Sequence, residues 1–293
     1  MKRRNFIQAS LITAPLMLGT SIPIQAAGKP VKRSLKLSLN TYSFNDQLMS
    51  GETNLFELVD YCKDVGFEAI DPTGYYFSGY PNVPDDDIIY RLKRQTFRAG
   101  LEISGTGVRN DFANAGIAKR VEDLKLIESW CIVASKLGAP LLRVFPGKEI
   151  TDGRVKSKVI EQVIAELKLA CDISKKHGVM LALQNHNDFL LSSEEITTVL
   201  DGVDSKWLGL HLDIGSLAQR DPYVEIEKLI KYAITWQIKE KVWVKGQQVP
   251  VDYDQLMNII LRSDYVGYLP LETLRTDPIK NLPKMIDEIR KRL

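Results

Sequence analysis

The chain has 293 residues, of which 44% are hydrophobic and 26% are charged, an ordinary composition for a soluble globular protein. The formal net charge is only +2, and beyond the N-terminus no cluster of Lys and Arg with interleaved aromatic residues is found. This balance argues against a nucleic-acid groove. Without the N-terminal segment, roughly 265 residues remain, close to the ~250 typical of one α/β barrel.

The N-terminal segment has the three-part layout of an export signal. A basic segment at 2–4 is followed by an apolar stretch over about 7–24 and then by the small residues Ala26 and Ala27. We therefore expect residues 1–27 to be an export signal, which would make the protein periplasmic or otherwise exported. Such a layout fits a twin-arginine signal, and the alternatives are an ordinary secretory signal and an uncleaved membrane anchor.

The basic segment resembles a twin-arginine signal, because Arg3 and Arg4 are adjacent and Phe6 follows them. Lys2 and Gln8 stand where such signals usually carry other residues. Twin-arginine export carries folded proteins, so a cofactor would be loaded before the protein crosses the membrane.

Strand-like and helix-like segments alternate from Leu35 to the end of the chain. Strands are predicted at 35–44, 67–74, 101–111, 140–147, 179–186, 208–213, 235–244 and in a last segment ending at Glu272. Helices are predicted at 54–65, 85–98, 117–137, 157–177, 193–200, 224–231, 252–261 and 278–292. Such alternation indicates a parallel sheet with helical crossovers. Eight units in this length predict a single (β/α)8 TIM barrel over residues 35–293. An open doubly wound sheet is less favoured, because no Gly-rich dinucleotide turn follows a strand.

Four of these predicted strands end in polar residues, where parallel α/β folds bind their ligands. Gln184 closes the apolar part of LALQNH, Asp213 ends LGLHLD, Gln237 lies in ITWQIKE, and Glu272 lies in YLPLET. The two acids offer anionic oxygens, and the two amides offer carbonyl oxygens. An all-oxygen set suits Mn²⁺ or Mg²⁺ better than Zn²⁺. We therefore predict one divalent metal at these four residues.

Alternation of side chains along each strand places further candidates on the same faces. His186 faces the same way as Gln184, His211 the same way as Asp213, and Lys239 the same way as Gln237. His186 and Lys239 are candidates for catalysis, whereas His211 is either a substrate-binding residue behind the strand ends or a buried structural one. Arg143 lies inside a predicted strand, and it is equally well interpreted as a substrate contact or as the structural partner of an acidic residue. The remaining substrate-binding candidates end the first and third predicted strands: Asn40, Tyr42 and Arg109.

The motifs at these strand ends resemble those of the xylose-isomerase-like barrel superfamily, which groups sugar-phosphate isomerases and epimerases with endonuclease IV. The resemblance covers about 35–293 and rests on QNHND at 184–188, HLDIGS at 211–216, QIKE at 237–240 and LPLETL at 269–274. It implies a TIM barrel in which the four strand-end residues bind one divalent metal. Endonuclease IV activity is not expected, because its three-zinc site needs several His and this chain has only three.

Two of the four positions depart from the family pattern. Gln184 stands where the family has Glu, and Gln237 stands where it has His. Both changes remove basicity, so the resemblance implies a lower metal affinity than in the usual members. Family epimerases often place a proton-transferring carboxylate on each side of the substrate, and Gln184 is unable to act in this way. Glu272, His186 and Lys239 remain as candidates.

The sequence thus predicts a metal-assisted sugar isomerase or epimerase that removes a proton next to a carbonyl. Glu272 or His186 is the expected base, with Lys239 holding a substrate oxygen. One alternative is a lyase or hydratase acting on oxidised (3-keto) sugars, which needs one strong base rather than two. A second alternative is a non-catalytic carbohydrate-binding barrel. The expected partner is a small-molecule sugar, with no nucleic acid and no membrane contact beyond export, while the oligomeric state stays open.

Export predicts a processed N-terminus. N-terminal sequencing of the exported protein is expected to begin near Ala27 or Gly28, because signal cleavage follows small residues. An intact Met1 on the protein of the soluble periplasmic fraction would contradict the prediction.

Overall fold

A computed structural model describes residues 34–186, 189–274 and 277–293, and the predicted export signal at 1–27 lies outside this part. Within it, Ser34–Leu293 is a single compact unit. The strands are β1 (Leu35–Asn40), β2 (Ala69–Asp71), β3 (Glu102–Ile103), β4 (Thr106–Gly107), β5 (Leu141–Val144), β6 (Met180–Gln184), β7 (Leu208–Asp213), β8 (Ala233–Lys239), β9 (Lys241–Val244), β10 (Gln247–Pro250) and β11 (Gly267–Glu272).

The helices alternate with the strands along the chain. They are α1 (Asn45–Ser50), α2 (Leu55–Val65), α3 (Asp86–Arg98), α4 (Ile117–Leu137), α5 (Lys156–Lys176), α6 (Ser193–Val203), α7 (Pro222–Leu229), α8 (Tyr253–Arg262) and α9 (Pro278–Arg290). Among the described helices, none has the length and apolar character needed to cross a membrane.

The parallel strands form the predicted TIM barrel. Nine of them are hydrogen-bonded in the order β3-β2-β1-β11-β8-β7-β6-β5-β4. At one end of this order β3 pairs with β2, and at the other end β4 pairs with β5. Only Ser104 and Gly105 separate β3 from β4 along the chain, so the two ends of the sheet meet and the barrel closes. The barrel therefore has eight strand positions, and its third strand is divided between two neighbours.

The division of the third strand corrects the prediction of one continuous strand over 101–111. The Ser104 amide donates to Ile70 of β2 at 3.0 Å, whereas the Val108 amide donates to Arg143 of β5 at 3.1 Å. The chain thus changes its hydrogen-bonding partner within a few residues. At this junction the buried Ser104 hydroxyl lies 2.6 Å from the Ser38 hydroxyl of β1.

The seventh predicted strand, 235–244, is also two strands. Only β8 belongs to the barrel, while β9 turns away and pairs with β10 as an antiparallel hairpin. A period-two pattern continues through both strands, so the sequence does not mark the change of direction. The hairpin follows a carboxyl strand end and thereby borders the mouth of the barrel.

Helix ends largely follow the sequence signals. Asn54, the first residue of the helix predicted at 54–65, caps α2, because its side chain accepts hydrogen bonds from the amides of Phe56 and Glu57. In α6 the cap is Ser192, one residue before the predicted start at 193, because the Ser192 side chain accepts from the Glu195 amide. Ser192 and Ser193 are equivalent candidates for the N-cap in the sequence, and only the backbone conformation distinguishes them.

Because the strands are parallel, their polar carboxyl ends lie together at one end of the barrel. The register sets polar residues of neighbouring strands side by side: Asn40 with Asp71, Gln184 with His211, Asp213 with Gln237, and Lys239 with Glu272. Alternate residues point to the helical layer and form the core, including Leu142, Leu212 and Leu271, which are fully buried. The same periodicity thus supplies both the core and the polar mouth.

Truncation of a strand residue in this core is expected to destabilise the fold. Leu142 is fully buried, so Leu142→Ala should lower the free energy of unfolding by about 2–5 kcal/mol, as large-to-small core substitutions do. The matched control is Leu169→Ala, because Leu169 is 52% exposed on α5. Urea denaturation measures both. Similar losses in the two variants would contradict the assignment of Leu142 to the core.

Candidate active site

Asp213, at the end of β7, is the centre of the polar cluster and is fully buried. Its Oδ2 accepts from Lys239 Nζ at 2.8 Å, Gln184 Nε2 at 2.9 Å and Ser216 Oγ at 2.9 Å, and its Oδ1 accepts from the Gly215 amide at 2.9 Å. Burial acts to raise the pKa of Asp213, but the Lys239 charge and these hydrogen bonds outweigh it and lower the pKa. Asp213 is therefore a carboxylate with its acceptor capacity largely used.

Lys239, at the end of β8, carries a buried ammonium between two carboxylates. Its Nζ lies 2.8 Å from Asp213 Oδ2 and 3.7 Å from Glu272 Oε1. Burial acts to lower the pKa of Lys239, but the two carboxylates raise it above its usual value, so the side chain stays charged. A Cβ added at Gly215 would lie 2.4 Å from Lys239 Cδ, and glycine at this position makes room for the lysine stem.

Gln237 is held in one orientation by a chain of hydrogen bonds. The Tyr42 amide donates to Asn40 Oδ1 at 3.0 Å, which leaves Asn40 Nδ2 to donate to Gln237 Oε1 at 3.2 Å. His211 Nε2 lies 3.0 Å from the same oxygen. The Gln237 carbonyl thus faces these donors, and its amide NH₂ is the group that remains to hydrogen-bond Glu272.

His211 is a neutral, positioning histidine. It is fully buried, and burial, with a further contribution from the Arg143 charge, lowers its pKa to about 3. Because Gln237 Oε1 is an acceptor only, the proton lies on Nε2. We expected His211 to be either a substrate-binding or a buried structural residue, and its contact with Gln237 favours the structural role.

Gln184 is oriented in the same way by Arg143. The Arg143 Nη1 donates to Gln184 Oε1 at 3.1 Å, and a guanidinium has no acceptor, so the Gln184 NH₂ is directed at Asp213. Arg143 is buried, and its Nη2 lies 3.3 Å from the Tyr75 hydroxyl. A Cβ at Gly107 would lie 2.6 Å from Arg143 Nε, so a glycine makes room for this cation too.

Two buried carboxyls near these cations have raised pKa values. Burial is the main cause for Glu272, where the Asp213 charge adds to it and the Lys239 charge opposes it, and its pKa reaches about 7. Burial also raises the pKa of Asp71 to about 6, against the lowering effect of Arg143. Asp71 Oδ1 is buried and has no hydrogen-bond partner within the described residues. Pairs of carboxyls with perturbed pKa values are characteristic of acid–base sites.

Asp71 was missed by our sequence prediction. It ends β2 beside Asn40, as Asp213 and Glu272 end their own strands. The available signal was the run FEAID, an apolar strand closing on an acid. The predicted strand at 67–74 ran past Asp71, whereas β2 ends at this residue, so the acid was not recognised as a strand-end residue.

The other predicted residues lie at the rim. The His186 ring contacts the Phe145 ring edge-on, with centroids 5.5 Å apart, and Phe145 in turn lies 4.9 Å from the Arg143 guanidinium carbon. Arg109 is exposed, with its guanidinium carbon 4.2 Å from the centre of the Tyr75 ring. Tyr42 is half-buried and close enough to raise the pKa of Lys239. Asn187 and Asp188 of the QNHND motif lie outside the described residues.

The four predicted metal ligands do come together, but their atoms do not fit a divalent cation. Gln184 and Gln237 direct NH₂ groups at the carboxylates, and the oxygens of Asp213 are already engaged. In the part of the chain that the structure describes, no group of three or more His, Cys, Asp and Glu is arranged to hold a metal ion. Divalent cations with oxygen ligands require several free lone pairs directed at one point.

The family model described as xylose isomerase-like TIM barrel matches residues 59–292. The chain belongs to this family. The match spans most of the barrel and includes the carboxyl ends of all strands from β2 to β11. Among curated proteins, no sequence matches this xylose isomerase-like barrel.

Solved structures share the fold at low sequence identity. The 3-keto-D-glucoside 4-epimerase from E. coli is 14% identical with a TM-score of 0.71, covering 88% of this chain and 100% of the other. The probable 3-DHS dehydratase AsbF from Bacillus anthracis is 18% identical with a TM-score of 0.64, covering 87% and 97%. The IOLI protein with a bound zinc atom is 16% identical with a TM-score of 0.69, covering 88% and 96%. Because these identities are low, the likeness establishes that the fold is shared and nothing beyond the fold.

The raised pKa of Glu272 predicts a pH-dependent stability of this xylose isomerase-like barrel. Because the folded-state pKa of about 7 exceeds the ordinary value of 4.5, the native state binds more protons and loses stability as pH rises through 7. Between pH 6 and 8, ionisation of Glu272 should contribute a fall of about 1–2 kcal/mol in the free energy of unfolding. The lowered pKa of His211 acts in the opposite direction in this interval, but it does so equally in both proteins, so the wild type should lose about 1–2 kcal/mol relative to Glu272→Gln.

Urea denaturation at the two pH values measures this difference. The contribution of Asp71, whose pKa is about 6, is largely complete below this interval. Glu161→Gln, at a glutamate whose side chain is 63% exposed, is the matched control and should keep the wild-type loss. An equal loss in Glu272→Gln would show that another group causes it.

Proposed function

We propose that this barrel is an enzyme that removes a proton next to the carbonyl group of a sugar. The observation that carries the proposal is the juxtaposition of Glu272 and Lys239, a buried carboxyl with a pKa of about 7 beside a buried ammonium. A base that titrates near neutral pH and a fixed positive charge are the two groups that enolisation needs. Structural neighbours that are a sugar epimerase and a probable dehydratase support this class of chemistry.

Glu272 is the proposed base. In its ionised form it takes the proton from the carbon next to the carbonyl, and the electrons of that C–H bond form the C=C bond of an enolate. His186 was the alternative base, but its ring lies against Phe145 at the rim, whereas Glu272 contacts both Lys239 and Gln237. Glu272 thus combines the suitable pKa with the central position.

Lys239 is proposed to stabilise the oxygen on which negative charge develops. Its ammonium has three N–H donors, and Asp213 takes one of them. A cavity of about 70 Å³ borders Lys239. A substrate oxygen that reaches the ammonium meets a charged donor in a buried environment, where electrostatic stabilisation is strongest. Arg143, with Gln184 holding its Nη1, adds a second positive charge.

Asp71 is proposed as the second proton-transfer group, the role that Gln184 is unable to fill. Its carboxyl has a pKa of about 6, so it takes and returns protons near neutral pH. In isomerisation or epimerisation it returns a proton to the enolate carbon. In the lyase alternative, the enolate re-forms the carbonyl and expels a β-substituent, and Asp71 protonates the leaving oxygen. The non-catalytic carbohydrate-binding barrel remains as an outcome of the test below.

Two further expectations belong to this proposal. Export through the segment at 1–27 would place the enzyme where sugar phosphates are scarce, which favours free or oxidised sugars as substrates. A divalent metal in such a site would polarise the substrate carbonyl, and the IOLI neighbour has a bound zinc atom. The amide orientations of Gln184 and Gln237 do not suit such an ion, so the steps above use only the side chains of this chain.

Removal of the base is expected to abolish most turnover. Wild type and Glu272→Gln are incubated with a panel of free and oxidised sugars, and the products are followed by mass spectrometry. Glu272→Gln keeps the shape of the side chain but removes its basicity, so kcat/KM should fall by about 10²–10⁴-fold. Glu161→Gln, on the exposed face of α5, should retain wild-type turnover.

Two further readouts identify the chemistry. In D₂O, isomerisation or epimerisation should introduce deuterium into the sugar, whereas elimination should release water or an alcohol. The kcat/KM of the wild type should rise with pH through about 7, as the free enzyme loses the Glu272 proton. Near wild-type turnover in Glu272→Gln would exclude Glu272 as the base, and binding of a sugar without any change to it would favour the binding barrel.

A further inference from the structure

The position expected to hold a cation in this site is already taken by a side chain. The Lys239 ammonium lies 2.8 Å from Asp213 Oδ2 and 3.7 Å from Glu272 Oε1, between the two acids that the sequence predicted as metal ligands. We propose that the Lys239 ammonium replaces the divalent cation here, so that the mature site binds no divalent metal. This proposal concerns metal binding alone and holds whether or not the barrel transforms a sugar.

The structure makes space for the ammonium. The lysine stem passes Gly215, where even one added methyl group would lie 2.4 Å from Lys239 Cδ. The Gly215 amide is itself fixed by its hydrogen bond to Asp213 Oδ1 at 2.9 Å, so the backbone is tied to the same carboxylate that the ammonium contacts. A stem that only reached the rim would not need a glycine beside it.

Both amides are oriented to serve acids rather than a metal. Donor-only Arg143 fixes the carbonyl of Gln184, and the chain of hydrogen bonds from the Tyr42 amide through Asn40 fixes the carbonyl of Gln237. The two NH₂ groups therefore face Asp213 and Glu272. A divalent ion would need each amide to rotate by half a turn, which would set NH₂ groups against the donors of Arg143 and Asn40.

The charge of the cluster is already balanced. Lys239 and Arg143 bring two buried positive charges, and the buried acids Asp213, Glu272 and Asp71 bring two negative charges when one of Glu272 and Asp71 is protonated. A divalent ion would add two charges to a balanced, buried group, or would have to expel the ammonium from its carboxylate. Either change costs free energy, and coordination by Asp213, whose oxygens already accept several hydrogen bonds, would not offset this cost.

The first test uses the wild-type protein without any substrate. Metal analysis of the purified protein should find no stoichiometric divalent ion, and calorimetric titration with Mn²⁺ should show no binding at this site. The melting temperature should be unchanged by EDTA and by millimolar Mn²⁺. Stoichiometric metal in the purified protein, or a melting temperature that falls with EDTA, would overturn the proposal.

The second test removes the ammonium. In Lys239→Met, which keeps the length of the stem, Asp213 and Glu272 lose their cation and should accept Mn²⁺ in its place. Mn²⁺ at about 100 times its Kd should then raise the melting temperature by about 5–10 °C. In Gln184→Glu/Lys239→Met, a third carboxylate should lower the Mn²⁺ Kd about tenfold or more. Lys241→Met, two residues away at an exposed lysine of β9, is the control and should show no Mn²⁺ response.

The outcomes separate the parts of the proposal. A folded Lys239→Met that gains no response to Mn²⁺ would show that Lys239 is not what excludes the ion, and the proposal would fall. If Lys239→Met does not fold, the wild-type metal analysis and the EDTA melting experiment still decide the question. Because no readout uses turnover, a failure of the sugar-enzyme proposal would leave these results unaffected.

Discussion

The ion pair between Lys239 and Asp213 is the interaction on which the rest of the site depends. Each charge is buried, and a buried charge without its partner costs several kcal/mol. The pair therefore has to form whenever the barrel closes. It sets the position of the ammonium, keeps Asp213 ionised, and gives Glu272 a cation at 3.7 Å that is already shared with another acid.

Because the cation is shared, Glu272 is only partly compensated. The Lys239 ammonium lies closer to Asp213 than to Glu272, so it lowers the pKa of Asp213 more than that of Glu272. Glu272 is left with a pKa of about 7, and Asp71, which faces Arg143, with a pKa of about 6. The site thus holds a proton near neutral pH at the expense of stability, a combination often found where side chains transfer protons.

The amides of Gln184 and Gln237 connect this electrostatic core to the barrel. Gln184 accepts a hydrogen bond from Arg143 of the adjacent β5, and Gln237 accepts one from Asn40 of β1, two strands away. Each amide also donates to an acid, which leaves it little rotational freedom. Compared with the ligand-type residues that the sequence resemblance implies at these two positions, two oriented amides change the character of the site. A position suited to a free ion becomes one suited to a fixed ammonium, while the scaffold is unchanged.

The sequence by itself determined the architecture and most of the polar strand ends from which the candidate site is built. Periodicity and the alternation of strands with helices are local properties, so they predicted the barrel, the bounds of β7 and the strand ends at Asp213 and Glu272. Only the tertiary structure decided the division of the third strand, the turn of β9 out of the barrel, and the inclusion of Asp71. It also decided which way each amide faces, because that depends on donors such as Arg143 and Asn40 from strands distant in sequence. The sequence reveals which polar groups end the strands, but their roles follow from charges and hydrogen bonds that exist only once the barrel has closed.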